Sequence, residues 1–425
     1  MIINNIQHLK GSITVPGDKS ISHRSVMLGS LAEGKTRISH FLFGDDCLAT
    51  IECFKKMGIL IETDPSHIVI HGKGLHGLTK PSSSLYAANS GTTMRLMAGI
   101  LSGQDFSSSI YGDDSLNKRP MKRILTPLTM MDANIKSTLD NGCAPLMIRP
   151  SSLHGIVYNT PVASAQVKSS ILFAGLYANR PTTVKEPSVS RNHTELMLRD
   201  FGADLTSLGT SVTISPCSRL TGQDLVIPGD ISSAAYMIAA GLIIPDSEIL
   251  IKNVGINPTR SGFLSVCEKM GAKIEFLNVS SSGSEPCADL LVRTSHLRGT
   301  VIEGDLIPSL IDEIPILAVL AAFAEGTTVI RDAKELKVKE SDRIESVTYN
   351  LKHMGGNVTP TEDGMIIYGC SPLHGTKIKT YHDHRIAMAF SIAALSAEGE
   401  SSLDDESCIR ISYPDFFDTI SYLAK

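Results

Sequence analysis

Six times along this chain a short helical stretch rich in small apolar residues runs into a Gly- or Pro-bearing turn, a pattern that points to a repeat architecture. The clearest copies are Leu31-Ala-Glu-Gly-Lys-Thr36, Ala322-Phe-Ala-Glu-Gly-Thr-Thr328 and Leu395-Ser-Ala-Glu-Gly-Glu-Ser401. With Gly34, Gly103, Pro181, Pro245, Gly326 and Gly399 as markers, the spacings are 69, 78, 64, 81 and 73 residues. Between the copies recurs a more polar helix that ends in Met/Phe-Gly and passes into a β-branched run, at Met57-Gly58, Phe201-Gly202, Met270-Gly271 and Met354-Gly355. The apolar spacing of Ile51, Phe54 and Met57 fits an amphipathic helix, and the glycine after it is a helix stop. Two helices and several strands per unit are too many for a helical-pair solenoid. A larger repeat lies over the small one, because Val15-Pro-Gly-Asp18 returns as Ile227-Pro-Gly-Asp230. We therefore expect two lobes of three units each. One comprises residues 1–18 and 230–425, the other residues 19–229, with crossovers near 16–20 and 228–232. Met1–His8 reads as the first strand. Two lobes joined by two crossings are expected to hinge, and ligands commonly bind in such clefts.

A net charge of −5, from 39 Lys+Arg against 44 Asp+Glu, gives no general reason to bind nucleic acid or membrane. The apolar run Ile314–Phe323 is short for a membrane span, and the N-terminus lacks the layout of a secretory signal. Eight cysteines without a Cys-x-x-Cys pair read as reduced thiols of a cytoplasmic protein. His382-Asp383-His384 is the one metal-like pattern; residues two apart do not share a helix face, so no metal is expected.

The chemistry-bearing residues gather at the starts of the repeated helices, where backbone N–H groups and the dipole favour anions. Lys19, Ser20 and Arg24 offer a cation, a hydroxyl and a second cation one turn on, a set suited to phosphate or carboxylate. Asn89-Ser-Gly-Thr-Thr-Met-Arg95 brings Gly91 and two hydroxyls; Arg95 either contacts a ligand or braces the loop. Arg119 precedes Pro120 and is held extended. Ser164, Ala165 and Gln166 open the third helix as ligand donors or as plain cap and first-turn residues, and Ser190-Arg191-Asn-His-Thr194 is a polar turn nearby. In the second half the signs change. Asp312-Glu313 precede an apolar helix, Lys337 to Arg343 mixes cations with acids around Lys339 and Glu340, and Asp383-His-Arg385 heads the last helix. Such opposed groups can tune one carboxyl as a base and another as an acid.

Taken in order, Pro16–Arg24, Asn89–Arg95, Lys118-Arg-Pro120, Ser164–Lys168, Lys339-Glu-Ser-Asp-Arg343 and Asp383-His-Arg385 resemble the 3-phosphoshikimate 1-carboxyvinyltransferase (EPSP synthase) family across the whole chain. Ser164–Ser169 and Ser190–Thr194 resemble its class II bacterial branch. The resemblance implies an α/β fold: a two-lobed inside-out α/β barrel of the enolpyruvyl transferase and RNA 3′-phosphate cyclase type, with six βαβαββ repeats, three per lobe. It implies transfer of the enolpyruvyl group of phosphoenolpyruvate to the 5-hydroxyl of shikimate 3-phosphate, in the chorismate pathway to aromatic amino acids. It also implies a cytoplasmic monomer, a glyphosate target, with two small-molecule substrates, no cofactor, no metal, and no nucleic-acid or membrane partner. Carried across, Lys19, Ser20, Arg24, Ser164, Ala165, Gln166, Arg191, Asp312 and Lys339 bind shikimate 3-phosphate. Lys19, Gly91, Arg119, Gln166, Arg343 and Arg385 bind phosphoenolpyruvate. Asp312, Glu340 and Lys19 are catalytic, Asp312 as base and Glu340 as acid.

The chain departs from the family pattern at Ser90, where Ala is common, at Glu335, where some members have Asn, and at Ile411-Ser-Tyr-Pro414, which lacks a lysine some members use. The nearest rival is UDP-N-acetylglucosamine 1-carboxyvinyltransferase, whose catalytic cysteine lies close to an Arg-Pro; here the nearest in sequence is Cys143. An RNA 3′-phosphate cyclase is opposed by the negative charge and the missing adenylation histidine, and a plain repeat scaffold would not need Asp312 and Glu340.

Overall fold

A computed structural model describes residues 2–64 and 67–425. The chain divides into two compact units. The middle unit is Gly17–Ile227 with Ser282–Glu285, and the terminal unit is Met1–Pro16, Pro228–Ser281 and Pro286–Lys425. Each has its own hydrophobic core.

The six small-residue stretches are six inner helices: Lys19–Leu31, Gly91–Ser102 and Ala165–Gly175 in the middle unit, then Ile231–Ile243, Ile314–Phe323 and His384–Leu395 in the terminal unit. They are buried nearly all round, which explains their Ala, Gly and Ser content: a helix surrounded by protein has no room for a polar face. In the fifth, residues 314 to 322 are all buried, and each large apolar side chain there contributes about 1.5–3 kcal/mol. The helical run Gly304–Phe323 has the length and mean hydropathy, 1.9, of a membrane span, more than the sequence suggested, and is 72% buried inside the protein.

Around each inner helix the backbone repeats one pattern. In the first five a strand enters the helix, a second strand leaves it parallel to the first, an outer helix follows, and two antiparallel strands close the sheet in the order first, second, fourth, third; the sixth sheet has three strands, Lys377–Ile378, Ser401–Leu403 and Ile2–Ile3. In the second repeat these strands are Leu85–Tyr86, Ser108–Tyr111, Leu146–Arg149 and Asn134–Ser137. The chain closes each unit on itself. Asp224–Val226 is the first strand of the first repeat, paired with Arg37–Ser39, and Lys10–Thr14 is the first strand of the fourth, paired with Glu248–Lys252. The N-terminal segment is thus not one strand: Ile2–Ile3 pairs antiparallel with Ser401 and Ser402 in the sixth repeat, while Lys10–Thr14 serves another sheet, and Met1 lies outside the described residues.

The Ala-Glu-Gly turns have a steric cause. Gly34, Gly326 and Gly399 sit at φ 92°, 92° and 87°, the left-handed region in which a side chain is strained. The outer helices end at Gly58, Gly202, Gly271 and Gly355, with φ from 85° to 93°. The outer helix Lys122–Met130 carries Pro127 and ends with Asp132 at φ 64° in place of glycine, so it lacks the stop signal of its siblings. Within the middle unit, residues 282–285 are tied to the outer helix His193–Asp200. Glu285 Oε1 lies 2.6 Å from His193 Nδ1, and the Ser284 N–H donates to Asp200 at 3.0 Å.

Candidate active site

Five of the six inner helices begin with a side-chain cap. Asp18, Ser90, Ser164, Asp230 and Asp383 accept from the backbone N–H of Ile21, Thr93, Val167, Ser232 and Arg385. Where the cap is aspartate, a carboxylate already occupies the positive end of the dipole. The Ser90 and Ser164 caps are neutral and leave it unopposed, so the helix starts are not equal anion seats.

In the middle unit the three helix starts form one connected polar layer. Arg24 is buried and held on three sides: Nε donates to Thr194 Oγ1 at 2.6 Å, Nη1 to the Ser20 carbonyl at 2.9 Å and Nη2 to Ser169 Oγ at 3.0 Å. Burial, and less strongly the Arg191 charge, lowers its pKa to about 10 against the pull of Asp18, Glu285 and Glu195, so it stays cationic at neutral pH. Lys19 pairs with Asp46. The second and third helices touch backbone to backbone: a Cβ on Gly99 would lie 2.1 Å from the Ser170 carbonyl oxygen. At their starts Gln166 is held from both ends, accepting from Arg95 Nη1 at 2.6 Å and donating to Thr92 Oγ1 at 3.1 Å. Arg95 therefore braces the loop. Arg119 Nη2 donates to Asn89 Oδ1 at 2.6 Å. A Cβ on Gly91 would meet Arg95 Nη1 at 2.7 Å and Arg119 Nη1 at 3.8 Å, so this glycine keeps space open between two guanidinium groups.

Two buried networks support the layer. Lys168 Nζ contacts Glu186 at 2.7 Å, Glu195 at 2.8 Å and the Ser190 carbonyl at 3.2 Å, which pins the turn bearing Arg191 to the third helix. His23 Nδ1 meets Thr50 Oγ1 at 2.7 Å, and Thr50 continues to Thr93 at 2.7 Å and Thr93 to Ser90 at 2.8 Å. Burial above all lowers the His23 pKa to about 3, so it acts as a neutral spacer.

In the terminal unit one guanidinium is the hub. Arg343 is fully buried, with Nε 2.8 Å and Nη2 3.2 Å from the two oxygens of Asp383, Nη2 2.6 Å from Glu340 and Nη1 3.4 Å from Asp312. Burial opposes its charge, but Asp383 and Glu340 hold its pKa above the usual guanidinium value. Asp312 Oδ1 is also 3.4 Å from Lys339 Nζ, and its Oδ2 is 3.8 Å from Arg385 Nη2. Asp312, Lys339, Glu340, Arg343 and Arg385 thus converge although they come from three segments. Asp383 is spent on Arg343, Ser341 and its own helix, while exposed His382 meets Asp405 at 2.9 Å, so the His-Asp-His run is divided among separate partners. Among the described residues no group of three or more His, Cys, Asp or Glu is placed to hold a metal ion.

Of the sequence-predicted residues, Lys19, Ser20, Arg24, Gly91, Arg119, Ser164, Ala165, Gln166 and Arg191 fall in the middle unit. Sequence reasoning missed Lys168, Glu186 and Glu195, and in the terminal unit Arg260. Arg260 Nη1 is 2.9 Å from Glu313 and Nη2 3.4 Å from Asp230. The available signal was an arginine in the turn Asn257-Pro-Thr-Arg260-Ser-Gly262 just before an outer helix. Cys143, remote from Arg119 in sequence, returns to it in space, with Sγ 3.5 Å from the Lys118 carbonyl oxygen.

Comparison with known proteins places this geometry in a family. Residues 3–420 match the family model described as EPSP synthase (3-phosphoshikimate 1-carboxyvinyltransferase). The 3-phosphoshikimate 1-carboxyvinyltransferase of Thermoanaerobacter sp. strain X514 is 53% identical over 415 residues, 98% of each chain. That of Bacillus subtilis strain 168 is 51% identical over 423 residues, 99% of each. A solved EPSP synthase structure from Acinetobacter baumannii superposes with a TM-score of 0.91 at 45% identity, covering 99% of this chain and 97% of that one. An enolpyruvyl transferase from Streptomyces tendae shares the fold at 18% identity, with a TM-score of 0.80 and coverage of 99% and 96%. With whole-length matches of sequence and structure, and with six repeats around inner helices whose starts carry the cations and carboxylates, the chain belongs to the EPSP synthase (3-phosphoshikimate 1-carboxyvinyltransferase) family.

Proposed function

We propose that this chain transfers the carboxyvinyl group of phosphoenolpyruvate to the 5-hydroxyl of shikimate 3-phosphate, releasing phosphate. The observation that carries this reading is that Asp312 and Glu340, two carboxylates from the starts of the inner and outer helices of the fifth repeat, meet on opposite nitrogens of one buried guanidinium. That arrangement supplies a proton acceptor and a proton donor at fixed separation, as an addition–elimination needs.

Both substrates are multiply charged anions, and the middle unit gathers cations and hydroxyls at its three inner-helix starts. Arg24, Lys19, Ser20, Ser164, the backbone of Ala165, Gln166, Arg191 and Lys339 would take shikimate 3-phosphate. Gly91, Arg119, Gln166 and Lys19 would take phosphoenolpyruvate together with Arg343 and Arg385. Asp312 accepts the 5-hydroxyl proton as that oxygen attacks C2 of phosphoenolpyruvate, while Glu340 protonates the methylene carbon. The tetrahedral intermediate then loses phosphate and a C3 proton, which restores the enol ether. Lys19 and the guanidinium groups stabilise the charge that develops on the phosphate. The gap kept by Gly91 is also where an inhibitor such as glyphosate would be discriminated. Eight cysteines with no disulfide among the described residues support a cytoplasmic location, and we propose a monomer with no nucleic-acid or membrane partner.

Cys143 beside Lys118 keeps UDP-N-acetylglucosamine 1-carboxyvinyltransferase as the second reading. The two are separated by offering the chain phosphoenolpyruvate with either acceptor and identifying the enol ether by NMR. Product from shikimate 3-phosphate alone is expected; product from UDP-N-acetylglucosamine would reverse the assignment.

A further inference from the structure

We infer that Glu313 and Arg260 are positioning residues that set the plane and placement of Arg385. Glu313 directly follows Asp312 at the start of the fifth inner helix, yet its side chain makes no capping bond there and is fully buried. A carboxylate taken out of water needs charged or hydrogen-bonding partners. It has three, from three elements: Ser232 Oγ at the start of the fourth inner helix, Arg260 Nη1 at 2.9 Å, and Arg385 Nη1 at 3.4 Å at the start of the sixth. Arg260 is anchored in turn by Ser232 and by Asp230 Oδ1 at 3.4 Å. Arg385 Nη1 also donates to the Asp312 carbonyl at 3.1 Å.

The network is a charge-balanced row, Asp230, Arg260, Glu313, Arg385, that ties three helix starts together. Exposure falls from Asp230 to Glu313 and is greatest at Arg385: the side chains are 8%, 4%, 0% and 12% exposed in that order. Stability alone does not call for this row, because apolar residues of the same volume serve a core as well as a buried ion pair does. What the row adds is orientation. A guanidinium recognises a carboxylate or phosphate through a planar fork, so its value depends on the angle at which it is held. Glu313 grips Arg385 through Nη1, on the side that also meets the Asp312 backbone, while Nη2 faces the Asp312 carboxylate at 3.8 Å. Burial opposes the Arg385 charge, but Asp312, Tyr236, Glu313 and Asp230 raise its pKa, so the fork stays cationic.

This inference rests on the reading that Arg385 holds phosphoenolpyruvate, and the test keeps the two apart. Steady-state kinetics of Glu313→Gln, Arg260→Lys and Arg385→Lys are compared with shikimate 3-phosphate affinity measured by calorimetry. Glu313→Gln and Arg260→Lys are each expected to raise KM for phosphoenolpyruvate about 10- to 100-fold, with a much smaller fall in kcat and little change in shikimate 3-phosphate affinity. A folded Glu313→Gln with wild-type KM, beside an Arg385→Lys with a raised one, overturns the positioning role alone. Wild-type KM in Arg385→Lys overturns the assignment of Arg385 to phosphoenolpyruvate, and the inference with it. If Glu313→Gln does not fold, Arg260→Lys decides, since it keeps a cation against Glu313 while losing the fork to Ser232 and Asp230.

Discussion

Asp312→Asn is expected to lower kcat by about 10²- to 10⁴-fold while shikimate 3-phosphate still binds. The amide has the shape of the carboxylate but cannot accept the hydroxyl proton. It also leaves Lys339 and Arg343, both at 3.4 Å, and Arg385 at 3.8 Å without the carboxylate that offsets them. Anion binding should therefore hold or strengthen as turnover collapses, a separation that simple unfolding would not produce. Calorimetry with shikimate 3-phosphate and a single-turnover assay on the same preparation read the two effects. Near-normal turnover would remove Asp312 from the base role.

The second large effect is on stability. Arg343 and Asp383 are both fully buried and joined by two hydrogen bonds, so Arg343→Met strands a carboxylate in the core of the terminal unit. Removing one partner of such a pair costs about 3–5 kcal/mol, which corresponds to a fall in Tm of about 10 °C for a unit of this size. The pH dependence has a definite sign. Burial pushes the Asp383 carboxyl up, but the charge and hydrogen bond of Arg343 outweigh it and hold the carboxyl below the usual range. A carboxyl depressed in the folded state adds stability above its unfolded pKa, and that stability is lost as pH falls through the folded value, here below about pH 4. In Arg343→Met the guanidinium no longer outweighs burial and only the Ser341 hydroxyl and the Arg385 N–H still donate to the carboxylate, so Asp383 takes up a proton at higher pH and the deficit relative to wild type narrows on acidification. Adding Asp383→Asn to Arg343→Met should recover part of the loss. A Tm within about 2 °C of wild type in the single variant would show that the pair is not the anchor described here.

How much of this was readable in advance differs by residue. The inner helices were legible because burial on all sides imposes a composition, and the Ala-Glu-Gly turns because a left-handed backbone imposes glycine at 34, 326 and 399. The helix Lys122–Met130 was missed for the converse reason, since Asp132 takes the glycine's place. The segment 1–8 read as one strand because nothing local shows that residues 2–3 and 10–14 pair with partners nearly 400 and 240 positions away. The site followed the same rule. A cation or acid at a helix start looks the same whether it caps, braces or binds, and the distinction lies in partners far along the chain. Arg95 became a brace only through Gln166, 71 residues on, and Glu313 acquired a role only through Arg260 and Arg385, 53 and 72 positions away. The family resemblance supplied roles for Asp312 and Glu340, but the buried Arg343 that joins them to Asp383 is a property of the folded chain.

The central claim is that this chain catalyses carboxyvinyl transfer between these two substrates, and phosphate release with each substrate withheld in turn tests it most directly. Release that needs both phosphoenolpyruvate and shikimate 3-phosphate, matched by equal formation of the enol ether, is the predicted result. Release from phosphoenolpyruvate alone, or none with both present, would contradict it.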